Sequence, residues 1–251
     1  RLLNIPPETI TNLIEQNRQA HPDPVDLEQV VRQKLHNLVA PYLGDPDYSR
    51  MMQRLPEIAG SRESVELENF CTEVLNSHAS TRERLPIVGA FYESIFAVSG
   101  KPRSILDLAC GLNPFAIPWM GLAPDADFHA YDLHLPRVEL INAFFKAIHQ
   151  AGQAFHADIL VNPPQDIADV AFFFKEAHRF DQRHKGCNRD FFTALNVKYL
   201  LVSLPTLSLT GRHSKVDQDR RLIEHAVSGT NWDTQELIFD SEIVFCIRKS
   251  T

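Results

Sequence analysis

The sequence predicts an α/β protein: a doubly wound, mainly parallel sheet of seven strands that ends in an antiparallel hairpin and follows a small all-helical region. Three observations carry this. Up to Gly100 the apolar residues recur at helical spacing, and almost nothing alternates as a strand would. Beyond Gly100 short apolar runs alternate with amphipathic or Pro-containing segments, the pattern of buried parallel strands linked by helices. The closing stretch, TQELIFDSEIVFCIRK, is two apolar runs broken at Asp240-Ser241, which reads as a hairpin.

In PPETITNLIEQNRQ, prolines suited to a first helical turn precede Ile10, Leu13 and Ile14 on one face. DLEQVVRQKLHNLVAPYL repeats the spacing with Leu27, Val30, Val31, Leu35 and Leu38, and Pro41 ends it. A third helix is expected in SRESVELENFCTEVLNS through Val65, Phe70 and Val74. A fourth runs through Leu85, Val88, Phe91, Tyr92 and Ile95 to a stop at Gly100. RSILDLAC, residues 103–110, is the first strand, and a short helical NPFAIPWMGL leads to the second, DFHAYD. An amphipathic helix follows, from Pro136 through Val138, Leu140, Ile141, Phe144, Phe145 and Ile148, with Gly152 at its end. QAFHAD, DVAFFFK and KYLLVSLP are the next strands, with FFTALNV helical before the last of them. The expected division is a helical domain over residues 1–77 and a sheet domain over 78–251.

A chain of 251 residues, 44% of them hydrophobic, has enough apolar surface for one large α/β domain and an accessory unit. Its longest apolar runs, VAFFFK and YLLVSL, are too short to cross a bilayer, so no membrane partner is expected. The amino end, RLLNIPPETI, has Pro6 and Pro7 where a secretory leader needs an apolar core, and a cytoplasmic location is expected. Cys71, Cys110, Cys187 and Cys246 form no C-x-x-C pair and have no His at metal spacing, which predicts reduced structural thiols and no metal. The net charge of −7 argues against nucleic acid as a partner. Yet residues 175–221 hold ten Lys or Arg against five acids, with His178, His184 and His213 among them, either a solvated face or a local RNA contact.

In a doubly wound sheet the ligand lies across the carboxyl ends of the strands, beside the first glycine turn. That turn is ACGLNP, 109–114, with the single glycine Gly111 where a dinucleotide fingerprint wants three. A methionine-derived nucleoside cofactor has no phosphate to cradle; it needs close backbone approach, which one glycine permits, and an acid for the ribose diol. Asp132 ends the second strand 25 residues after Asp107, near the offset at which an acid meets ribose hydroxyls. Asp158 ends the third strand, where a carboxylate can accept from the adenine amino group. Either acid alone also reads as a turn or helix cap.

SHASTRERL (77–85) followed by SILDLACGLNP (104–114) resembles the aminoglycoside-resistance 16S rRNA guanine-N7 methyltransferases of the kanamycin and gentamicin type. The likeness continues through LHNLVAPYL, HADIL, FFFK and VSLPTLSLTGR, so it covers most of the chain. It implies a class I S-adenosylmethionine-dependent methyltransferase fold, Rossmann-like, S-adenosyl-L-methionine as cofactor, and 16S rRNA in the small (30S) ribosomal subunit as partner. By position, His78, Ala79 and Ser80 would line the cofactor pocket, with Arg84 facing the methionine carboxylate. Ala109 and Gly111 would hold the turn, Asp132 the ribose, and Asp158 with Ile159 the adenine. Phe174 would flank the cofactor, Tyr42 would close the pocket from the helical domain, and His184 stands where the family has a Gln near the cofactor. Lys175 falls on the family's basic position after the fourth strand, a positioning role with contacts to phosphate or guanine O6. Arg212 and Lys215, in the loop after the fifth strand, and Arg179, Arg183 and Lys185 would face RNA. The chain departs from the family in FKEAHRFDQRHKGC, at Leu207, where a cation is lost, and in GRHSKV.

Guanine N7 carries a free lone pair and no proton, so its methylation needs in-line positioning and no general base. One motif points elsewhere: Asn162-Pro163-Pro164 is most of an amine-methylation signature. It precedes the fourth strand instead of ending it, and its prolines read as a rigid turn. The competing readings are a divergent methyltransferase of the same fold acting on another RNA or a small molecule, and a non-catalytic cofactor- or ribosome-binding homologue. A monomer is expected.

Overall fold

The computed structural model describes residues 4–39, 44–60, 64–206 and 215–250, with Val39 and residues 215–219 as backbone only. Its single sheet contains β1 (Ser104–Leu108), β2 (Asp127–Asp132), β3 (Gly152–His156), β4 (Ile167–Phe174), β5 (Asn196–Pro205), β6 (Asp233–Ile238) and β7 (Glu242–Arg248). Their order is β3-β2-β1-β4-β5-β7-β6, parallel from β1 to β5 and antiparallel where β7 meets β5 and β6. The expected class I arrangement is present, and the hairpin enters the sheet through its second strand. The residues account for this: EIVFCI is buried throughout β7, whereas the polar DTQELI of β6 serves as the exposed edge.

Among the described residues six α-helices precede β1: α1 (Pro7–Asn17), α2 (Pro24–Val39), α3 (Tyr48–Arg54), α4 (Val65–Asn76), α5 (Ala79–Arg82) and α6 (Val88–Ser99). Four details of these helices differ from expectation. The buried face of α1 is Thr9, Leu13 and Asn17, while Ile14 points outward; Asn17 can be buried because its amide donates to the Leu13 carbonyl at 2.6 Å. In α4, Val65 is exposed and Leu67, Phe70, Cys71 and Val74 turn inward behind a Ser64 cap that accepts from the Leu67 N–H at 3.1 Å. The fourth expected helix is broken into α5, a 3₁₀ turn at Leu85–Ile87 and α6, because Pro86 lacks an N–H and disfavours helical geometry before it. Helix α3 was not expected; Asp47 caps it by accepting from the Arg50 N–H.

After β1 come a 3₁₀ turn (Asn113–Ala116), α7 (Ile117–Met120), α8 (Leu135–Ala147), α9 (Ala177–Arg183), α10 (Cys187–Ala194) and α11 (Lys215–Val227). Helices α9 and α11 carry too few apolar residues to show in the sequence pattern, and FFTALNV divides, since Asn196 and Val197 already belong to β5. Gly152 does not end α8. It opens β3 with φ +128, and a Cβ there would lie 2.1 Å from the Phe128 carbonyl oxygen, so only glycine lets β3 approach β2 this closely.

The sheet separates two cores by simple alternation along β4. Val170 and Phe172 enter a cluster with Phe70, Phe91, Tyr92, Phe115 and Phe144, whereas Ala171 and Phe173 enter one with Phe180, Phe191 and Phe192. Both faces being covered explains why DVAFFFK reads as a continuous apolar run. Helices α3 and α4 contribute to the first of these cores. Helices α1 and α2 do not: Ile5, Leu13, Val31 and Leu35 form a small cluster of their own. Polar contacts tie that pair down, His156 Nε2 lying 3.0 Å from the Asn4 carbonyl and Arg183 donating to Asn12 at 3.3 Å. Residues 1–77 thus do not share one core.

Candidate active site

A cavity of about 280 Å³ lies over the carboxyl ends of β1, β2 and β4, on both sides of the point where the strand order reverses. The turn after β1 forms its floor. Ala109 and Gly111 both have left-handed backbones, φ +51 and +55, which glycine adopts freely and alanine does not. This bend sends the Gly111 N–H to Asp132 Oδ2 at 3.0 Å, while Asp132 Oδ1 accepts from the His134 N–H at 2.8 Å. Asp132 is therefore a turn cap and a cavity acid at once. Arg137 Nη1, from the first turn of α8, lies 3.1 and 3.0 Å from its two oxygens.

Asp158 follows β3 and is buried. Arg183 grips its two oxygens at 2.9 and 2.5 Å, and the Leu160 N–H donates to it at 3.1 Å. Its carbonyl accepts from Val161 and Asn162, which makes Asn162-Pro163-Pro164 a turn between β3 and β4 as the sequence predicts. Of that stretch only Asp158 and Ile159 reach the cavity.

The opposite wall is a buried polar network. Arg84 donates to both oxygens of Glu242 at 2.7 Å and to Asn113 Oδ1 at 2.9 Å, with its guanidinium carbon 4.2 and 4.6 Å from the rings of Phe91 and Phe174. Asn113 Oδ1 also accepts from the Tyr92 hydroxyl at 2.6 Å, and Asn113 Nδ2 donates to Asp107 Oδ2 at 2.9 Å. Burial pushes the Asp107 carboxyl up to about 8, against the opposing pull of Asn113 and Arg84. Burial likewise lowers the His78 imidazole to about 4, so His78 is neutral at pH 7, its Nδ1 2.8 Å from Ser80 Oγ.

The raised Asp107 value has a sign that can be tested. A folded carboxyl with a raised pKa gives stability that is complete below its unfolded value of 3.8 and is lost as pH climbs through about 8. Asp107→Asn should remove this dependence, so thermal unfolding should find the variant gaining on the wild type by a few kcal/mol between about pH 5 and pH 8. A difference between the two proteins that stays flat over that range would rule the effect out.

Most residues expected at the cofactor site meet here: His78, Ala79, Ser80 and Arg84 from the segment after α4, Ala109 and Gly111, Asp132, Asp158 with Ile159, and Phe174. Lys175 joins them with a left-handed backbone, φ +61. Its ammonium is 2.7 Å from Glu83 and 3.2 Å from the Ser80 carbonyl, with the side chain 10% exposed. In this arrangement the Lys175 ammonium is held by Glu83 and by the backbone that carries Ser80.

Other expectations need correction. His184 is an exposed residue beyond α9 and does not line the cavity; the end of α9 turns it toward solvent. Arg183, expected to face RNA, is buried against Asp158, and Arg179 is turned to Glu176 at 2.8 Å and to the Leu38 carbonyl at 3.2 Å. The charge excess in 175–221 is thus not one outward face, since the first three of its cations pair with acids around the cavity. Lys185 is exposed as expected. Tyr42, Leu207 and Arg212 lie outside the described residues, and Lys215 begins α11 with only its backbone described. Sequence reasoning missed Asp45, His134, Arg137, Glu176 and His178, all of which line the cavity. Four of these follow Asp132 or Phe174 by two to five positions, a signal available in the sequence. Asp45 gives none, because packing alone brings it in.

The geometry invites comparison with known proteins. A family model described as "Ribosomal RNA methyltransferase (FmrO)" matches residues 1–244. The chain belongs to this family. Among the relatives of this FmrO-family methyltransferase, the 16S rRNA (guanine(1405)-N(7))-methyltransferase of Micromonospora rosea is 26% identical over 90% of this chain and 84% of its own. That of Serratia marcescens is 28% identical over 82% of this chain and 76% of its own. The solved 16S rRNA methylase RmtB superposes with TM-score 0.81 at 22% identity, covering 98% of this chain and 92% of its own. The 16S rRNA methyltransferase RmtF, solved in complex with S-adenosyl-L-homocysteine, superposes with TM-score 0.79 at 25% identity, covering 99% and 93%.

S-adenosyl-L-methionine is the cofactor of this FmrO-family enzyme. The cavity suits it: two acids at successive strand ends, a buried guanidinium between aromatic rings, and open space above Gly111, where a Cβ would meet nothing within 4 Å. Among the described residues no group of three or more His, Cys, Asp or Glu could hold a metal, and no helix is long and apolar enough to cross a membrane.

Proposed function

We propose that the protein methylates guanine N7 at the decoding site of 16S rRNA in the small ribosomal subunit, as a cytoplasmic monomer. The observation that carries this reading is the meeting of Asp132, Asp158 and Arg84 around one cavity in a chain of the ribosomal RNA methyltransferase family. S-adenosyl-L-methionine, when bound, supplies an electrophilic methyl group. In this reading the residues of the chain hold and orient. Asp132 accepts from the ribose hydroxyls and Asp158 with Ile159 meets the adenine. His78, Ala79 and Ser80 line the pocket. Arg84 has two N–H groups left after Glu242 and Asn113 have taken three, and these face the methionine carboxylate. Lys175, through Glu83 and the Ser80 carbonyl, holds the segment that carries His78 to Arg84.

No residue need remove a proton, because N7 has none, and the neutral His78 suits a site whose product ring is cationic. Removing water and aligning the base are then the main catalytic means. Lys185, Arg212 and Lys215 are the cations left for RNA contact, and the separately packed pair α1 and α2 is the docking unit. Binding is expected to weaken with salt, as phosphate contacts do.

The test incubates the protein and radiolabelled S-adenosyl-L-methionine with small subunits, free 16S rRNA and intact ribosomes, then maps the modified base. Label on small subunits at the decoding-site guanine N7 is expected. Cofactor binding without transfer to any of the three would overturn the reading and favour another substrate or a non-catalytic homologue.

A further inference from the structure

The cavity contains a charge network that the reading above does not use. Arg137 lies partly buried between two carboxylates from distant parts of the chain. Its Nη1 reaches both oxygens of Asp132, at 3.1 and 3.0 Å, and its Nη2 donates to Asp45 Oδ1 at 2.8 Å. Asp45 also accepts from the Tyr48 hydroxyl at 2.5 Å, and Tyr48 sits 3.3 Å from His134 Nδ1 and against its ring at 5.4 Å. Burial opposes ionisation of Asp45, but Arg137 and Tyr48 outweigh it and hold its carboxyl below the usual range. The residue before it is Gly44, with φ +88, where a Cβ would stand 2.1 Å from the Ser77 carbonyl oxygen. Only glycine allows the Asp45 segment to press this closely on the backbone that leads into His78.

We propose that Arg137 is a positioning residue for ribose recognition, setting the rotamer of Asp132, and that Asp45 in turn sets Arg137. This rests on the reading of Asp132 as the ribose acid. A ribose diol presents two hydroxyls a fixed distance apart, so its acceptor must be held in one orientation, and Asp132 is buried. The His134 N–H holds one oxygen of that carboxylate and the Gly111 N–H the other, while Arg137 Nη1 bridges the two and its Nη2 is tied to Asp45. A lysine could reach Asp132 but, being a point charge without a fork, would not hold Asp132 and Asp45 together in this geometry. Because Arg137 is shared with Asp45, that residue takes part in the ribose site through the guanidinium.

The experiment is calorimetric titration of the full chain with S-adenosyl-L-homocysteine and with its 2′,3′-dideoxyribose analogue. The readout is the preference for the hydroxylated ligand, which a general loss of structure would not move selectively. The wild type is expected to prefer it by about a hundredfold or more, as two hydrogen bonds to a charged acceptor do. Arg137→Gln should erase most of that preference, Arg137→Lys should keep part, and Asp45→Asn should give an intermediate loss. Asp132→Asn should abolish it. If Arg137→Gln weakens both ligands equally and leaves the preference intact, Arg137 is only a brace and the proposal is overturned. Should that variant fail to fold, Arg137→Lys and Asp45→Asn decide by the same criterion. A wild type without preference would instead sink the ribose reading of Asp132, and the proposal with it.

Discussion

Replacing Glu242 by alanine is expected to lower the stability of the fold by about 3–5 kcal/mol. Glu242 is completely buried at the start of β7, and both of its oxygens are taken by Arg84, itself 4% exposed. Truncating the acid strands a guanidinium between Phe91 and Phe174 with the neutral Asn113 still accepting one of its N–H groups, and a charge without a counter-charge in that place has no water to solvate it. Burial alone would raise the Glu242 carboxyl, yet Arg84 holds it below the usual range. A depressed carboxyl contributes stability that is present above its unfolded value of 4.5 and disappears as pH falls through the folded value. Denaturant unfolding at pH 7 and pH 4 checks both points. The Glu242→Ala variant should start far less stable and should lose less than the wild type on acidification. A loss under about 1 kcal/mol at pH 7 would show that the pair contributes little net stability.

Asp132→Asn should reduce affinity for S-adenosyl-L-homocysteine by about a hundredfold or more while the chain stays folded. The substitution keeps the shape but turns an acceptor-only group into one that must present an amide toward donors. The Gly111 N–H, the His134 N–H and Arg137 all point at this carboxylate, so at least one of them would face another donor. Two ribose hydroxyls would lose their charged acceptor as well, each worth about 1.5–3 kcal/mol. Calorimetry and thermal unfolding on one preparation separate the two effects. Unchanged affinity would remove Asp132 from the cofactor site.

Both residues show how far a reading of the sequence could go. The place of Asp132 at the cavity was legible, because an acid at the end of a strand, behind a glycine turn, lies at the crevice of a doubly wound sheet. Glu242 was not legible, for it reads as the first residue of a hairpin strand, and nothing local says that β7 lies beside β5. Arg84 was assigned to the cavity on family likeness, and the cavity includes it, but its main partner stands 158 positions away. The cations of α9 misled in the opposite way. Arg179 and Arg183 share a basic stretch of sequence, yet they turn inward to Glu176 and Asp158.

Local chemistry therefore set the element types, the alternation along β4, the glycine turn at 109–111 and the acids at the strand ends. Each depends on neighbours within a few residues, where hydrophobic period and backbone sterics act directly. Tertiary structure alone chose the partners of the charges: Arg84 with Glu242, Arg137 between Asp132 and Asp45, and Lys175 with Glu83. A buried charge must find its counter-charge wherever packing brings one, and sequence distance does not enter that choice.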